Sequence, residues 1–217
     1  MRIGLRRIVE PATALVTSAQ VCSQSHIDSD TAAADADLIT QYIQVATDHC
    51  EQDCGRSFIT QTWRYSLPRF DHQTWVPQWV GATIPFYFDL APGKRAVYLP
   101  RPPLQSVTSV EYYDETGTLQ TLDPSQYAVD TYGMMGSIRP VNNWPQTQQW
   151  NPAAVVITYV AGYGDTPNTV PSVAVQAVLL TVALLYEYRE PILSGSIISS
   201  LPMGIREWLD TIRVVEA

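Results

Sequence analysis

The chain has 217 residues, 46% hydrophobic and 16% charged, with 21 acids against 13 bases. This is the composition of an ordinary globular chain, long enough for one large domain or two small ones, with a core that needs no disulfide or metal staples. The formal charge of −8 is unevenly spread: residues 8 to 55 hold Glu10, Asp28, Asp30, Asp35, Asp37, Asp48, Glu51 and Asp53 and no Lys or Arg, which leaves 13 acids and 13 bases elsewhere. An acidic first quarter argues against a module that grips DNA, and its plainest reading is a solvated helix face. Met1 to Val16 lacks the apolar run and the small-residue cleavage site of a secretory leader, so a cytoplasmic origin is expected. An odd count of three cysteines then fits reduced thiols.

In chain order, Thr17-Ser18-Ala19-Gln20 has the capping-box pattern and predicts a short helix to about Ser25. Asp28 to Ala36 reads as an acidic approach to a second helix, from about Asp35 to Cys54. In that helix Leu38, Ile39, Tyr42, Ile43, Ala46, Cys50 and Cys54 recur at helical spacing, and Gly55 is placed to cap it. His49, Cys50 and Cys54 raise a metal hypothesis. Zinc takes four ligands, however, and no second pair stands elsewhere; small core thiols and no metal are the expectation.

The period changes after Arg56. Ser57 to Leu67 reads as a strand region that Pro68 ends. Residues 71 to 93 form a long excursion in which Trp75, Trp79, Phe86, Tyr87 and Phe88 alternate with prolines, as a sugar platform, a protein contact or a self-packed loop would. A β-meander follows, with strands expected at Ala96 to Leu99, Val107 to Tyr113, Thr118 to Leu122, Tyr127 to Thr131, Ser137 to Val141 and Val155 to Val160. The sum is an antiparallel sheet of five or six strands. Gly162-Tyr163-Gly164 is no phosphate loop, since it lacks the third glycine and the lysine.

Val170 to Tyr186 is a run of seventeen uncharged residues and reads as a helix buried on nearly all sides, begun by Pro171 in its first turn and stopped before Pro191. A membrane span is the rival reading. No basic residue flanks its start, and Gln176 would sit in lipid. After a Ser/Gly-rich link at Ser194 to Ser200, a last helix runs from Ile205 to about Arg213, with Ile205, Trp208, Leu209 and Ile212 on one face. The expected fold is α+β: a helical bundle built from both ends of the chain, residues 1–56 and 168–217, with an inserted antiparallel β-sheet region at 57–167.

Four motifs then stand in a recognisable order. They are Gly55-Arg56-Ser57-Phe58-Ile59-Thr60-Gln61-Thr62-Trp63; Leu99-Pro100-Arg101-Pro102-Pro103-Leu104 leading to Val110-Glu111-Tyr112-Tyr113-Asp114; Tyr159-Val160-Ala161-Gly162-Tyr163-Gly164; and Leu201-Pro202-Met203-Gly204-Ile205. Together, over residues 35 to 213, they resemble the head-tail connector (adaptor) proteins of tailed bacteriophages. The resemblance implies structural work without catalysis or cofactor, in the virion neck after assembly in the host cytoplasm. A ring, usually of twelve copies, would dock under the portal protein and present a surface to the next connector, stopper or tail protein. Double-stranded DNA would pass through the lumen without specific binding.

Several site expectations follow from that resemblance. Arg206, Trp208, Leu209, Ile212 and Arg213 are expected at the portal contact, because the family's C-terminal region commonly serves there. Trp75, Trp79, Phe86, Tyr87 and Phe88 are expected at a ring or partner interface, where packing would cover them. Asp28, Asp30, Asp35 and Asp37 are expected to face the channel, where a negative wall keeps DNA mobile. Two other classes stay open: a carbohydrate- or protein-binding β-module using Trp75 and Trp79 with Trp144 and Trp150, and an enzyme in which Asp114, Glu115, Asp123 and Asp130 converge.

Overall fold

The computed structural model describes residues 4–70, 96–188, 192–193, 196–197 and 203–214. The chain divides into two compact units. Met1–Pro11, Thr60–Tyr163 and Val215–Ala217 form a β unit, and Ala12–Ile59 with Gly164–Val214 form an α unit.

The β unit holds β1 (Gly4–Val9), β2 (Gln61–Leu67), β3 (Val97–Tyr98), β4 (Leu104–Tyr113), β5 (Leu119–Thr121), β6 (Tyr127–Asp130), β7 (Ser137–Pro140) and β8 (Val155–Ala161). They make two antiparallel sheets, one of five strands in the order β1-β2-β8-β4-β5 and one of three in the order β3-β7-β6. The single meander expected from the sequence is therefore corrected. β8, the last strand of the β unit in sequence, enters between β2 and β4, because its run Val155-Val156-Ile157-Thr158-Tyr159-Val160-Ala161 is apolar almost throughout and suits a central strand. A second correction concerns the N-terminus. Residues before Ala12 were expected in the helical bundle, but Gly4–Val9 is the edge strand beside β2. Two adjacent arginines among six residues hide its alternation.

One core serves both sheets. Trp63, Tyr65 and Leu67 of β2, Val155, Ile157 and Tyr159 of β8 and Val110 of β4 pack with Val97, Leu99, Tyr127 and Ile138. Each such large side chain contributes about 1.5–3 kcal/mol on burial. Phe70 stacks on Trp144 at 4.4 Å between ring centroids, which fixes the long link before β8 to the same core.

The α unit contains α1 (Ser18–Gln24), α2 (Ser29–Ala34), α3 (Ala36–Cys54), α4 (Ser172–Glu187) and α5 (Met203–Asp210). Thr17 and Gln20 cap α1 reciprocally, as the sequence pattern predicts. Gly55 ends α3 at φ 69°, a left-handed position where a side chain would be strained. The expected acidic approach is itself a helix, α2. The Asp28 carboxylate accepts hydrogen bonds from the Asp30 and Thr31 amides and nucleates it.

Helix α4 packs against α1, α3 and α5. Ala174, Ala177, Val178, Thr181 and Val182 form its fully buried stripe, while the remaining apolar positions are half-buried. The expectation of burial on nearly all sides is thus too strong within one chain. No helix among the described residues is long and apolar enough to cross a membrane. Ser196–Ile197 (β10), inside the Ser/Gly-rich link, pairs antiparallel with Ile192–Leu193 (β9) just before it.

Candidate functional site

Residues of three of the sequence motifs are held at two junctions, one in each unit. In the α unit, Glu51 lies in the last turn of α3, only 3% exposed, and its Oε1 accepts a hydrogen bond from the Phe58 amide at 2.6 Å. An acid at a helix C-terminus opposes the macrodipole, so this carboxylate persists there for its contacts. It holds the Gly55-to-Ile59 motif against the helix end, with Ser57 and Phe58 fully buried. The C-terminal segment is tied to the same place. The Arg56 Nε donates to the Ile212 carbonyl, the Val214 amide donates to the Cys54 carbonyl at 2.8 Å, and Arg213 pairs with Asp53 and, at 3.0 Å, with Asp210.

In the β unit the second and third motifs meet. The Tyr159 hydroxyl donates to the Pro100 carbonyl at 2.7 Å, and the Gly162 amide donates to the Pro103 carbonyl at 2.9 Å. Gln105 Nε2 bridges the Thr60 hydroxyl and the Gly162 carbonyl, each at 2.8 Å. Burial holds the Tyr159 phenol well above its ordinary pKa, so it serves as a neutral donor. The Arg101 guanidinium lies 5.5 Å from the centre of the Trp63 ring, within cation–π range. These contacts are architectural. They order loops.

The five residues expected at the portal contact separate by exposure. Leu209 is fully buried and packs α5 into its unit together with Ile205 and Val214, so it anchors the helix and offers no contact surface. Ile212 and Arg213 are half-buried and engaged through the Arg56 and Asp53 contacts. Arg206 is exposed and Trp208 is 40% exposed. Trp75, Trp79, Phe86, Tyr87 and Phe88 lie outside the described residues.

The acids expected at the channel have local duties as well. Asp28 caps α2, and the Thr31 amide and hydroxyl with the Asp30 amide hold its carboxyl below the ordinary range. The Asp35 carboxylate accepts from the Tyr186 hydroxyl at 2.8 Å and joins the start of α3 to α4. Asp30 and Asp37 are exposed in the first turns of α2 and α3, where an acid suits the helix dipole.

Asp114, Asp123 and Asp130 are each engaged within their own turn. Asp114 accepts from the Thr116 hydroxyl and amide, the Thr118 amide and Gln120, and the Thr116 hydroxyl above all pulls it down to about 2. Asp123 accepts from the Ser125 amide and Asp130 from the amides of Tyr132 and Gly133. Each organises its own turn, and Glu115 stands exposed at a hairpin tip. Of the tryptophans proposed as a sugar platform, Trp144 is buried in the core and Trp150 is 97% exposed, so these two build no common face. Burial raises the Cys50 thiol to about 12, and its Sγ lies 3.7 Å from the Thr181 hydroxyl as a core group does. Among the described residues no three His, Cys, Asp or Glu are grouped to hold a metal.

Two features escaped sequence reasoning. Glu51 had a readable signal, an acid in a last helical turn. The second, Arg6 directly opposite Arg64 across β1 and β2, depends on strand register and had none.

No protein-family model and no curated protein matches the chain. Solved structures do. A chain in the neck of an empty gene transfer agent particle, computed with C6 symmetry, is similar with a TM-score of 0.72 at 18% identity, covering 99% of this chain and 97% of that one. A chain in the virion of the native gene transfer agent particle is similar with a TM-score of 0.71 at 19% identity, over 98% and 96%. A third, from the neck of the native particle computed with C12 symmetry, reaches 0.61 at 18% identity, over 97% of both chains. The likeness runs from end to end, and what this chain shares with those neck and virion chains is its fold.

Proposed function

We propose that the chain is a structural component of a virion neck, a head-tail connector that forms a homo-oligomeric ring between the portal and the next neck or tail component. The observation that carries this reading is the end-to-end fold likeness to a chain of a particle neck, over 99% of one chain and 97% of the other. The resemblance of the four sequence motifs to phage adaptors supports it independently. Residues of the first motif are held at the Glu51 junction and those of the second and third meet at the Tyr159 junction, which suits a load-bearing part with no chemistry to perform.

In this reading the discontinuous helical part is the adaptor core and α5 docks on the portal. Arg206 and Trp208 are the anchors, residue types favoured at contact hot spots, while Leu209 holds the helix in place. The aromatic segment at 71–93 meets a neighbouring copy or partner. The exposed acids Asp30 and Asp37, with Asp28 and Asp35, face the lumen, so DNA slides past without sticking. The ring takes no cofactor or metal.

Truncation after Ser200 is a poor test of docking, because it would also strip Ile205, Leu209 and Val214 from the core. The double variant Arg206→Glu, Trp208→Ala leaves that packing intact. It should melt like the wild type yet lose binding to portal-bearing heads by about a hundredfold, the size expected for removing a hot-spot pair. Wild-type binding by this variant would remove α5 from the portal contact.

A further inference from the structure

The five-stranded sheet ends in two unlike edges. At one, β1 and β2 carry Arg6, Arg7 and Arg64 and no acid; at the other, β4, β5 and their turn carry Glu111, Asp114 and Glu115 and no base. Arg7 is engaged by Glu10 at 2.8 Å and by Gln61. Arg6 and Arg64 stand differently. They are exposed and directly opposite each other in the β1–β2 register, on the face away from Trp63 and Tyr65, and among the described residues neither has an ion-pair partner. Like charges directly across a strand pair are destabilising, and a local rule broken without compensation among the described residues marks a place suited to a partner's opposite charge.

Apolar surface accompanies the charge at each edge: Ile8 and Val9 are exposed on β1, and Leu119 on β5. The pairing shifts register between Arg7 and Val9, and a bulge there prevents β1 from accepting another strand along its whole length. What the edge offers is a basic, partly apolar side-chain surface, and the opposite edge offers its complement.

We infer that the Arg6–Arg64 edge of one copy receives the β4–β5 hairpin of the next copy, with Glu115 at its tip seated on the arginine pair and Glu111 beside it. This rests on the ring reading above and specifies how neighbours meet. A contact between two different edges of one sheet is head-to-tail, the kind that closes into a cyclic ring, whereas a self-complementary patch would stop at a dimer. Asp114 cannot take the role of Glu115, because its carboxylate is used up by the Thr116, Thr118 and Gln120 bonds that shape the hairpin.

The test uses the full chain, with native mass spectrometry and sedimentation across protein concentrations, alone and with portal. Arg6→Glu and Glu115→Arg should each weaken association per interface by about tenfold or more, and the charge-swapped double variant should restore most of it. Arg64→Gln and Glu115→Gln, which introduce no repulsion, should act in the same direction more weakly, and melting curves show that the monomers stay folded. A wild-type ring that tolerates both reversals overturns this inference and leaves the ring reading standing. So does a swapped variant that melts normally but fails to assemble. If Arg6→Glu spares the ring yet lowers retention of double-stranded DNA, the arginines contact phosphate and the inference is overturned. A wild-type chain that forms no ring, alone or with portal, removes both.

Discussion

Helix α3 carries acids at both ends, and the two ends use them in opposite ways. At the start, Asp30 and Asp37 sit exposed in first turns of α2 and α3, Asp28 caps α2, and only Asp35 reaches a distant group, the Tyr186 hydroxyl. Charge and dipole agree there, so the exposed Asp30 and Asp37 cost the fold little. At the finish, Glu51 and Asp53 oppose the dipole. They persist because Glu51 is buried against the Phe58 amide and Asp53 pairs with Arg213, 160 residues away. The same residue type thus sets surface potential at one end and joins distant segments at the other. A stretch of eight acids without a base holds two populations, and charge counting alone merges them.

Variants at the finish should do the most damage. Leu209→Ala, beside the Arg213 tie, removes a fully buried side chain and should cost about 2–5 kcal/mol in denaturant titration. Glu51→Ala strands the buried Phe58 amide and should cost about 1–3 kcal/mol, with Glu51→Gln recovering part of it through its carbonyl oxygen. If Glu51→Ala melts like the wild type, the two ends do not differ in the way described.

Acid titration reads the carboxylates that hold local turns more gently. Asp28 and Asp114 both have folded pKa values below the ordinary 3.8, Asp114 at about 2. A depressed value means that the carboxylate stabilises the fold above about pH 4, and that this stabilisation is lost as pH falls through the folded value. Asp28→Asn, which keeps a capping oxygen, and Asp114→Asn should flatten the dependence of melting temperature on pH below about 4. Near neutral pH Asp28→Asn should change little. An unchanged acid limb in both variants would mean that neither carboxylate is held by its turn.

Much of the local structure was legible in the sequence, because it rests on short-range chemistry. The Thr17–Gln20 box, the period of α3, the Gly55 cap and the turn at Gly117 each need only a few neighbours. What escaped depends on distant pairing. No spacing rule tells that β8 inserts between β2 and β4, that β3, β6 and β7 separate into their own sheet, or that Arg6 faces Arg64. For the site the limit was similar. The apolar face of α5 was readable, yet periodicity cannot say whether Leu209 meets its own chain or another; burial assigns it to its own chain and leaves Arg206 and Trp208 outside.

The central claim is that many copies of this chain form one closed ring on a portal. The most direct measurement is the mass and symmetry of the purified protein with portal-bearing heads, by native mass spectrometry and averaged electron micrographs. The account predicts a single closed ring in register with the portal, with α5 toward it and Asp30 and Asp37 toward the lumen. A chain that stays monomeric with portal present, or that binds as scattered single copies, would contradict it.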